Sequence, residues 1–183
     1  MKREQHIQDM QTKAAEEAAR MPDKATLENQ AIQQKATQLG RHVVDIQPDG
    51  HCLYNAICDQ LIAVDAKHTY SMMELRRAVA EEMRRRRQEY QPFMFDEEAC
   101  EMMDDAGYTR YCDELERSAV WGGHVEIMAM ANVLRRRICV VQSEQDVMRI
   151  EPAEGEAEPG DIWVSYHQHQ YGLGAHYNSL PMQ

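Results

Sequence analysis

The chain has 183 residues, 43% of them hydrophobic, which suits one domain with a real core and a modest extension. It carries 20 Lys and Arg against 31 Asp and Glu, a net charge of −11, and this argues against nucleic-acid binding as its main task, because phosphates are held by cations. Residues 1–40 hold six basic and six acidic residues, so the whole excess falls in residues 41–183, where it serves either solubility or a basic partner.

Residues 3–39 read as helix, rich in Ala, Gln, Glu and Lys. Ile7, Ala14 and Met21 are spaced by seven and Met10 takes a d-like place, but Glu17 and Lys24 break the heptad. "MPDK" interrupts the run at Pro22, which can only open a new helix, and Gly40 is a C-terminal stop. Residues 1–40 are therefore expected to be an exposed, coiled-coil-like helical arm, with a domain over 41–183. "MKREQHIQDM" lacks the apolar core of a signal peptide, and no window of about 18 apolar residues suggests a membrane span. Five cysteines, an odd count without a C-x-x-C pair, point to free thiols in a reducing compartment, expected to be the cytoplasm or the nucleus.

"HVVDIQ" (42–47) alternates and is β-branched, which predicts a strand. "CLYNAICDQLIAV" (52–64) has apolar positions at helical period. Ser71 and Glu74 form a capping box that opens a helix to about Tyr90, whose "RRRR" (84–87) suits a solvated C-terminal end. Residues 96–116 carry nine acids and one base, Arg110, and predict two short helices broken at Gly107. "WGGHVEIMAMANVL" gives a Gly-Gly turn and a helix with Ile127, Met130, Ala131 and Leu134 on one face. "ICVVQ" (138–142) reads as a buried strand, with "VMRIE" (147–151) as its hairpin partner. "IWVSYH" (162–167) and "HYNSL" (176–180) read as strands on either side of a turn at 170–175. Helices come first and strands last, which predicts an α+β fold with a small central sheet packed by helices.

Cys52, in "PDGHCLYN", opens a helix just after Gly50. A helix N-terminus offers unpaired N–H groups and a partial positive charge that favour thiolate over thiol. The "DGH" loop could aim amides at a developing oxyanion, with Asp49 bracing it by accepting backbone hydrogen bonds. Packing is the other reading of a free cysteine, and the local sequence leaves both open. A thiol nucleophile needs a base and the base an orienting group. In "HYNS", His176 and Asn178 stand two apart, so on a strand they share a face and the amide oxygen can fix the imidazole tautomer. The alternative there is a satisfied polar strand end. His167 and His169 share a strand face but lack further ligands at zinc spacing, and no phosphate-binding or dinucleotide motif is present, so neither metal nor cofactor is expected. Trp121, Gly122 and Gly123 would leave open backbone beside an aromatic wall, fit for a slim extended peptide or simply for a helix entry.

Together, "DGHCLYNAICDQL", "WGGHVEIMAMANVL" and "YGLGAHYNSL" resemble, in order and spacing, the ovarian-tumour (OTU) cysteine proteases, which are deubiquitinases; the resemblance covers about residues 41–181 and is strongest for the branch with an N-terminal coiled-coil region. It implies the OTU fold, Cys52 as nucleophile, His176 as general base, Asn178 as third member, Asp49 as support of the cysteine loop, and an oxyanion hole of the Gly50, His51 and Cys52 amides. It further implies Trp121, Gly122 and Gly123 as the channel for the Gly-Gly tail of ubiquitin, with ubiquitin or polyubiquitin as partner, and residues 96–116 as a candidate match for the arginines of that tail. A ubiquitin-like modifier as substrate, or a non-catalytic ubiquitin-binding module docked on a larger assembly through residues 1–40, are the alternatives.

Overall fold

The computed structural model describes residues 23–65, 70–96, 100–171 and 174–183. The expectations for residues 1–22 and for positions 172–173 of the turn lie outside the described residues. Helix α1 spans Lys24–Gln38 and starts at Asp23, whose carboxylate accepts from the Thr26 amide. It ends at Gly40, which follows the C-cap with φ +67°, a conformation glycine adopts without a Cβ penalty. Helix α2 spans Cys52–Val64, as the periodicity predicts. Helix α3, Met72–Arg85, carries the expected Ser71–Glu74 capping box and stops at Arg86, short of Tyr90; a single turn, α4, follows at Arg87–Tyr90. Short strands β1 (Phe95–Asp96) and β2 (Glu101–Met102) pair antiparallel, and α5 runs Asp105–Arg117. Helix α6, His124–Leu134, precedes strands β3 (Ile138–Val141), β4 (Met148–Ile150), β5 (Ile162–Tyr171) and β6 (Gly174–Ser179).

The main sheet has the order β4-β3-β5-β6. β3 and β4 are antiparallel, as expected of a hairpin, β3 and β5 are parallel, and β5 and β6 are antiparallel. Side-chain alternation assigns the two faces. On one, Val140, Val164 and Tyr177 join the large core built with α2, α3, α5 and α6. On the other, Val141 and Leu180 pack with Ala36 of α1, flanked by Val43, Val147 and Trp163. The fold is α+β, with a sheet between α1 and the helical layer.

Three local expectations change. Residues 24–38 are not an exposed arm: Ile32 and Ala36 are buried, the Lys35 ammonium donates to the carbonyls of Gln142 and Gln145, and the buried Glu28 carboxylate accepts the Gln168 and His169 amides where β5 slips register against β6. The described residues of 96–116 form one helix rather than two. Gly107 sits inside the first turn of α5, where Asp104 caps its amide at 2.6 Å, so the glycine falls where a helix tolerates it. Residues 42–47 touch the sheet through a bridge at Val44 rather than forming a strand, because further backbone groups of the segment bond to side chains of the site.

Candidate active site

The site is assembled at the outer edge of β6. An edge strand points alternate N–H and C=O groups away from its sheet, and these need partners. The Ser179 amide is met by the Val44 carbonyl at 3.2 Å. Helix α2, which opens at Cys52, packs against β6, and the Tyr177 amide is among the groups that favour the Cys52 thiolate. Tyr177 turns its ring to the core, while His176 and Asn178 occupy the opposite face.

His176 Nε2 lies 2.9 Å from Asn178 Oδ1, and the Ile46 amide donates to the same oxygen at 2.8 Å. An N–H cannot donate to an NH₂ group, so the second bond fixes the orientation of the amide. An amide oxygen only accepts, so Nε2 carries the proton and Nδ1 keeps its lone pair. Asn178 Nδ2 reaches Asp45 Oδ1 at 3.4 Å and His167 Nε2 at 3.5 Å, and Ser165 Oγ lies 2.9 Å from His167 Nε2. Ser165 faces Asn178 across the β5–β6 ladder and His167 faces His176. All four side chains are buried. Asp45, Ser165 and His167 were not signalled as site residues, because cross-strand register and the path of 42–47 bring them there.

Burial pushes the Cys52 thiol above its ordinary value; the amides of Tyr177, Leu53 and Cys52 oppose this, and the Asp49 charge adds to it. Burial likewise pulls His176 below the ordinary imidazole value, against its bond to Asn178. The helix N-terminus alone therefore does not make a thiolate here: thiol and imidazole are both pushed toward their neutral forms.

Asp49 Oδ1 accepts the His51 amide at 2.7 Å. This bond ties the loop to Asp49 and occupies the amide of His51, one of the three expected oxyanion donors. The Gly50 and Cys52 amides remain; that of Cys52 makes only a long 3.3 Å bond to the Asp49 carbonyl. Gly50 is glycine because of a close approach: a Cβ would stand 1.9 Å from the carbonyl oxygen of Ala119. Arg76, another residue without a sequence signal, fills the space behind this loop. Its buried guanidinium donates to His51 Nδ1 at 3.0 Å and to the carbonyls of Gly50 (2.5 Å), Val120 (2.8 Å) and Leu115 (3.2 Å). It also stacks on the Tyr54 ring, 4.1 Å from its centroid.

Trp121 is 40% exposed, stacks on Tyr177 with ring centroids 5.6 Å apart and donates from Nε1 to the Ala175 carbonyl at 3.1 Å. It walls a groove of about 440 Å³ that Pro48, Asp49, Gly50, Gly174, Ala175 and His176 complete. Gly122 and Gly123 are absent from that lining. A Cβ on Gly122 would meet Leu53 at 2.9 Å and Tyr54 at 3.1 Å, so this glycine lets the loop close on α2. The Gly123 amide is held by the Glu126 carboxylate at 2.6 Å.

The acidic stretch and the arginine run answer each other. Arg84 pairs with Asp113 and Glu116, Arg77 with Glu116, and Arg87 with Asp105. Arg86 pairs with Glu82 and Glu89 and is only 12% exposed, so the run is not simply a solvated helix end. Three of the nine acids expected to meet a basic peptide, Asp105, Asp113 and Glu116, are thus paired within the chain. No grouping of three or more His, Cys, Asp or Glu that could hold a metal occurs among the described residues.

Residues 47–177 match the OTU-like cysteine protease family. The chain belongs to this family. It is similar to OTU domain-containing protein 2 of Saccharomyces cerevisiae, at 35% identity over 98% of this chain and 58% of that protein. It is also similar to deubiquitinase OTUD6B of Homo sapiens, at 30% identity over 84% of this chain and 51% of that protein. The chain spans about half the length of the curated relatives it matches. The OTU fold is shared with the OTU domain of OTUD1 (TM-score 0.61, 19% identity, 87% of this chain and 99% of that one). It is shared too with an OTU deubiquitinase from Wolbachia pipientis wMel bound to ubiquitin (TM-score 0.55, 13% identity, 78% of this chain and 96% of that one).

Proposed function

We propose that this OTU-family chain is a thiol-dependent deubiquitinase that hydrolyses isopeptide bonds at the C-terminal glycine of ubiquitin. The observation that carries the reading is the His176–Asn178 hydrogen bond on β6, the strand against which the helix opened by Cys52 packs. Relatives named as deubiquitinases and OTU structures bound to ubiquitin support the substrate class.

In the proposed mechanism His176 Nδ1 takes the thiol proton as Cys52 Sγ attacks the glycine carbonyl, and the Gly50 and Cys52 amides receive the oxyanion. The imidazolium returns the proton to the leaving lysine amine, which departs and leaves a thioester. A water deprotonated by His176 then attacks the thioester, and the sulfur leaves as thiol with that proton. Asn178 holds the ring throughout, and Asp49 braces the loop. Trp121 walls the path of the ubiquitin tail, with Gly122 and Gly123 shaping that wall from behind. Helix α1 packs on the sheet of the catalytic domain, and docking on a larger assembly through residues 1–40 is part of the same proposal. The five free cysteines support a reducing compartment, the cytoplasm or nucleus.

A ubiquitin-based electrophilic probe tests the reading: the wild type is labelled and Cys52→Ala is not. Equal labelling of both would remove Cys52 as nucleophile. Labelling only by a probe built on a ubiquitin-like modifier would move the substrate class, and labelling without turnover of any diubiquitin would leave a binding module.

A further inference from the structure

Among the described residues Arg76 is the largest fully buried side chain, and it has no place in the chemistry above. A buried cation is costly unless its N–H groups are satisfied. Here the partners are three carbonyls and a ring nitrogen rather than a carboxylate, and they belong to loops on both sides of the nucleophile. Gly50 and His51 precede Cys52; Leu115 and Val120 lie at the end of α5 and in the segment that leads to Trp121. The two loops also touch directly, with Gly50 against the Ala119 carbonyl.

The geometry bears on the oxyanion hole. A peptide bond is planar and trans, so fixing a carbonyl fixes the N–H of the next residue in the opposite sense. Arg76 holds the Gly50 carbonyl inward, and the His51 amide is accordingly fixed on Asp49. Nε of Arg76 then holds the His51 ring through Nδ1, so the 50–51 peptide and the His51 side chain are restrained from one side. The Gly50 and Cys52 amides belong to the peptides on either side of the 50–51 peptide, joined to it at the Gly50 and His51 Cα atoms, so a turn of that peptide displaces both.

We propose that Arg76 is a positioning residue for the oxyanion hole: its guanidinium, joined to the Gly50 carbonyl, the His51 ring and the Val120 carbonyl, holds the 49–52 backbone in register with the wall that carries Trp121. This rests on Cys52 being the nucleophile. A planar fork serves three directions at once, which an ammonium on a flexible stem cannot, so lysine is no substitute.

The test is steady-state hydrolysis, by the full chain, of ubiquitin carrying a fluorogenic C-terminal amide, with Cys52→Ala as control. Arg76→Lys and Arg76→Gln should lower kcat by about 10²-fold, in the range of a lost oxyanion donor, with KM within about threefold of wild type. Because Arg76 variants also lose core packing, two changes at the half-exposed His51 separate placement from folding. His51→Asn offers Oδ1 where Nδ1 stood and should keep kcat within about threefold, whereas the apolar His51→Leu should lower it about tenfold. Wild-type kcat in folded Arg76→Lys and Arg76→Gln, equal kcat in the two His51 variants, or a loss confined to KM would each overturn the proposal. If Cys52→Ala itself turns over, the catalytic reading fails first; if it is inactive while the Arg76 variants are not, only the positioning role fails.

Discussion

Arg76 and Arg77 stand side by side on α3 and are put to opposite uses. One helical step of about 100° separates them. Arg76 points between α3 and α2 into the loops of the site and is fully buried; Arg77 points outward, is 60% exposed and meets Glu116 at 3.8 Å. The outer face of α3 and its C-terminal end continue as an exchange of charge with α5, in which Arg84 bonds Asp113 and Glu116 at 2.8 Å each. On the inner side, a guanidinium without a carboxylate partner orders backbone. The lesson is that conspicuous charge and consequential charge lie on different faces: solvent screens the first, and the second acts through fixed hydrogen bonds.

The strongest way to break this comparison is to push the restrained loop off its support. Gly50→Ala would place a Cβ 1.9 Å from the Ala119 oxygen, against backbone that cannot turn aside. The loop must then move, taking the Gly50 amide from its proposed oxyanion position. Turnover should fall by about 10²–10³-fold, because reacting geometry tolerates little displacement. Activity near wild type would mean that the clamp between the two loops is not needed. Asn178→Ala comes next. It removes the acceptor that His176 and Ile46 share, so kcat should fall, but less completely than in Cys52→Ala, which removes the proposed nucleophile rather than the proposed orienting group. A loss equal to that of Cys52→Ala would show that Asn178 does more than orient.

A smaller, graded effect sharpens the electrostatic side. Burial raises the Cys52 pKa and lowers that of His176, which favours the neutral form of each. The thiolate fraction of a group with a raised pKa is small at neutral pH and grows with pH. Iodoacetamide modification of Cys52 without ubiquitin, followed by peptide mass, should therefore rise by about tenfold per pH unit from about pH 7 to 9. A flat profile over about pH 6–8 would reveal a preformed thiolate–imidazolium pair and overturn the neutral resting state.

The fold is legible in the sequence where structure is local. α2 follows its apolar period from Cys52 to Val64, and α3 begins where Ser71 and Glu74 cap it. The pair His176 and Asn178 is legible for the same reason, since strand alternation puts i and i+2 on one face. What escapes is what only the third dimension brings together. Nothing in "ELRRA" distinguishes Arg76 from Arg77 until Gly50 and Val120, 26 and 44 residues away, are known to lie over one of them. "HVVDIQ" has the composition of a strand, yet Ile46 gives its amide to a side chain, which no pattern of hydrophobicity records. His51 looked like a donor because its neighbours do; the carboxylate two residues earlier occupies it instead. In each case a long-range or side-chain hydrogen bond decided against the local rule.

The smallest expected effect lies on the solvent face, and it matters because the comparison stands or falls on the contrast. Arg77→Ala removes a 3.8 Å pair whose arginine is 60% exposed. A pair of this kind is screened and holds two flexible side chains in one geometry, so it contributes about 0.5 kcal/mol or less. The melting temperature should move by less than about 2 °C and hydrolysis of the fluorogenic ubiquitin amide should be unchanged. Arg84→Gln breaks two shorter bonds at a side chain that is 34% exposed and should cost more stability than Arg77→Ala, still without touching kcat. If Arg77→Ala lowered kcat as Arg76→Gln is expected to do, the two faces of α3 would not be separable, and the charge network with α5 would have to be counted as part of what holds the 118–123 segment against the nucleophile loop.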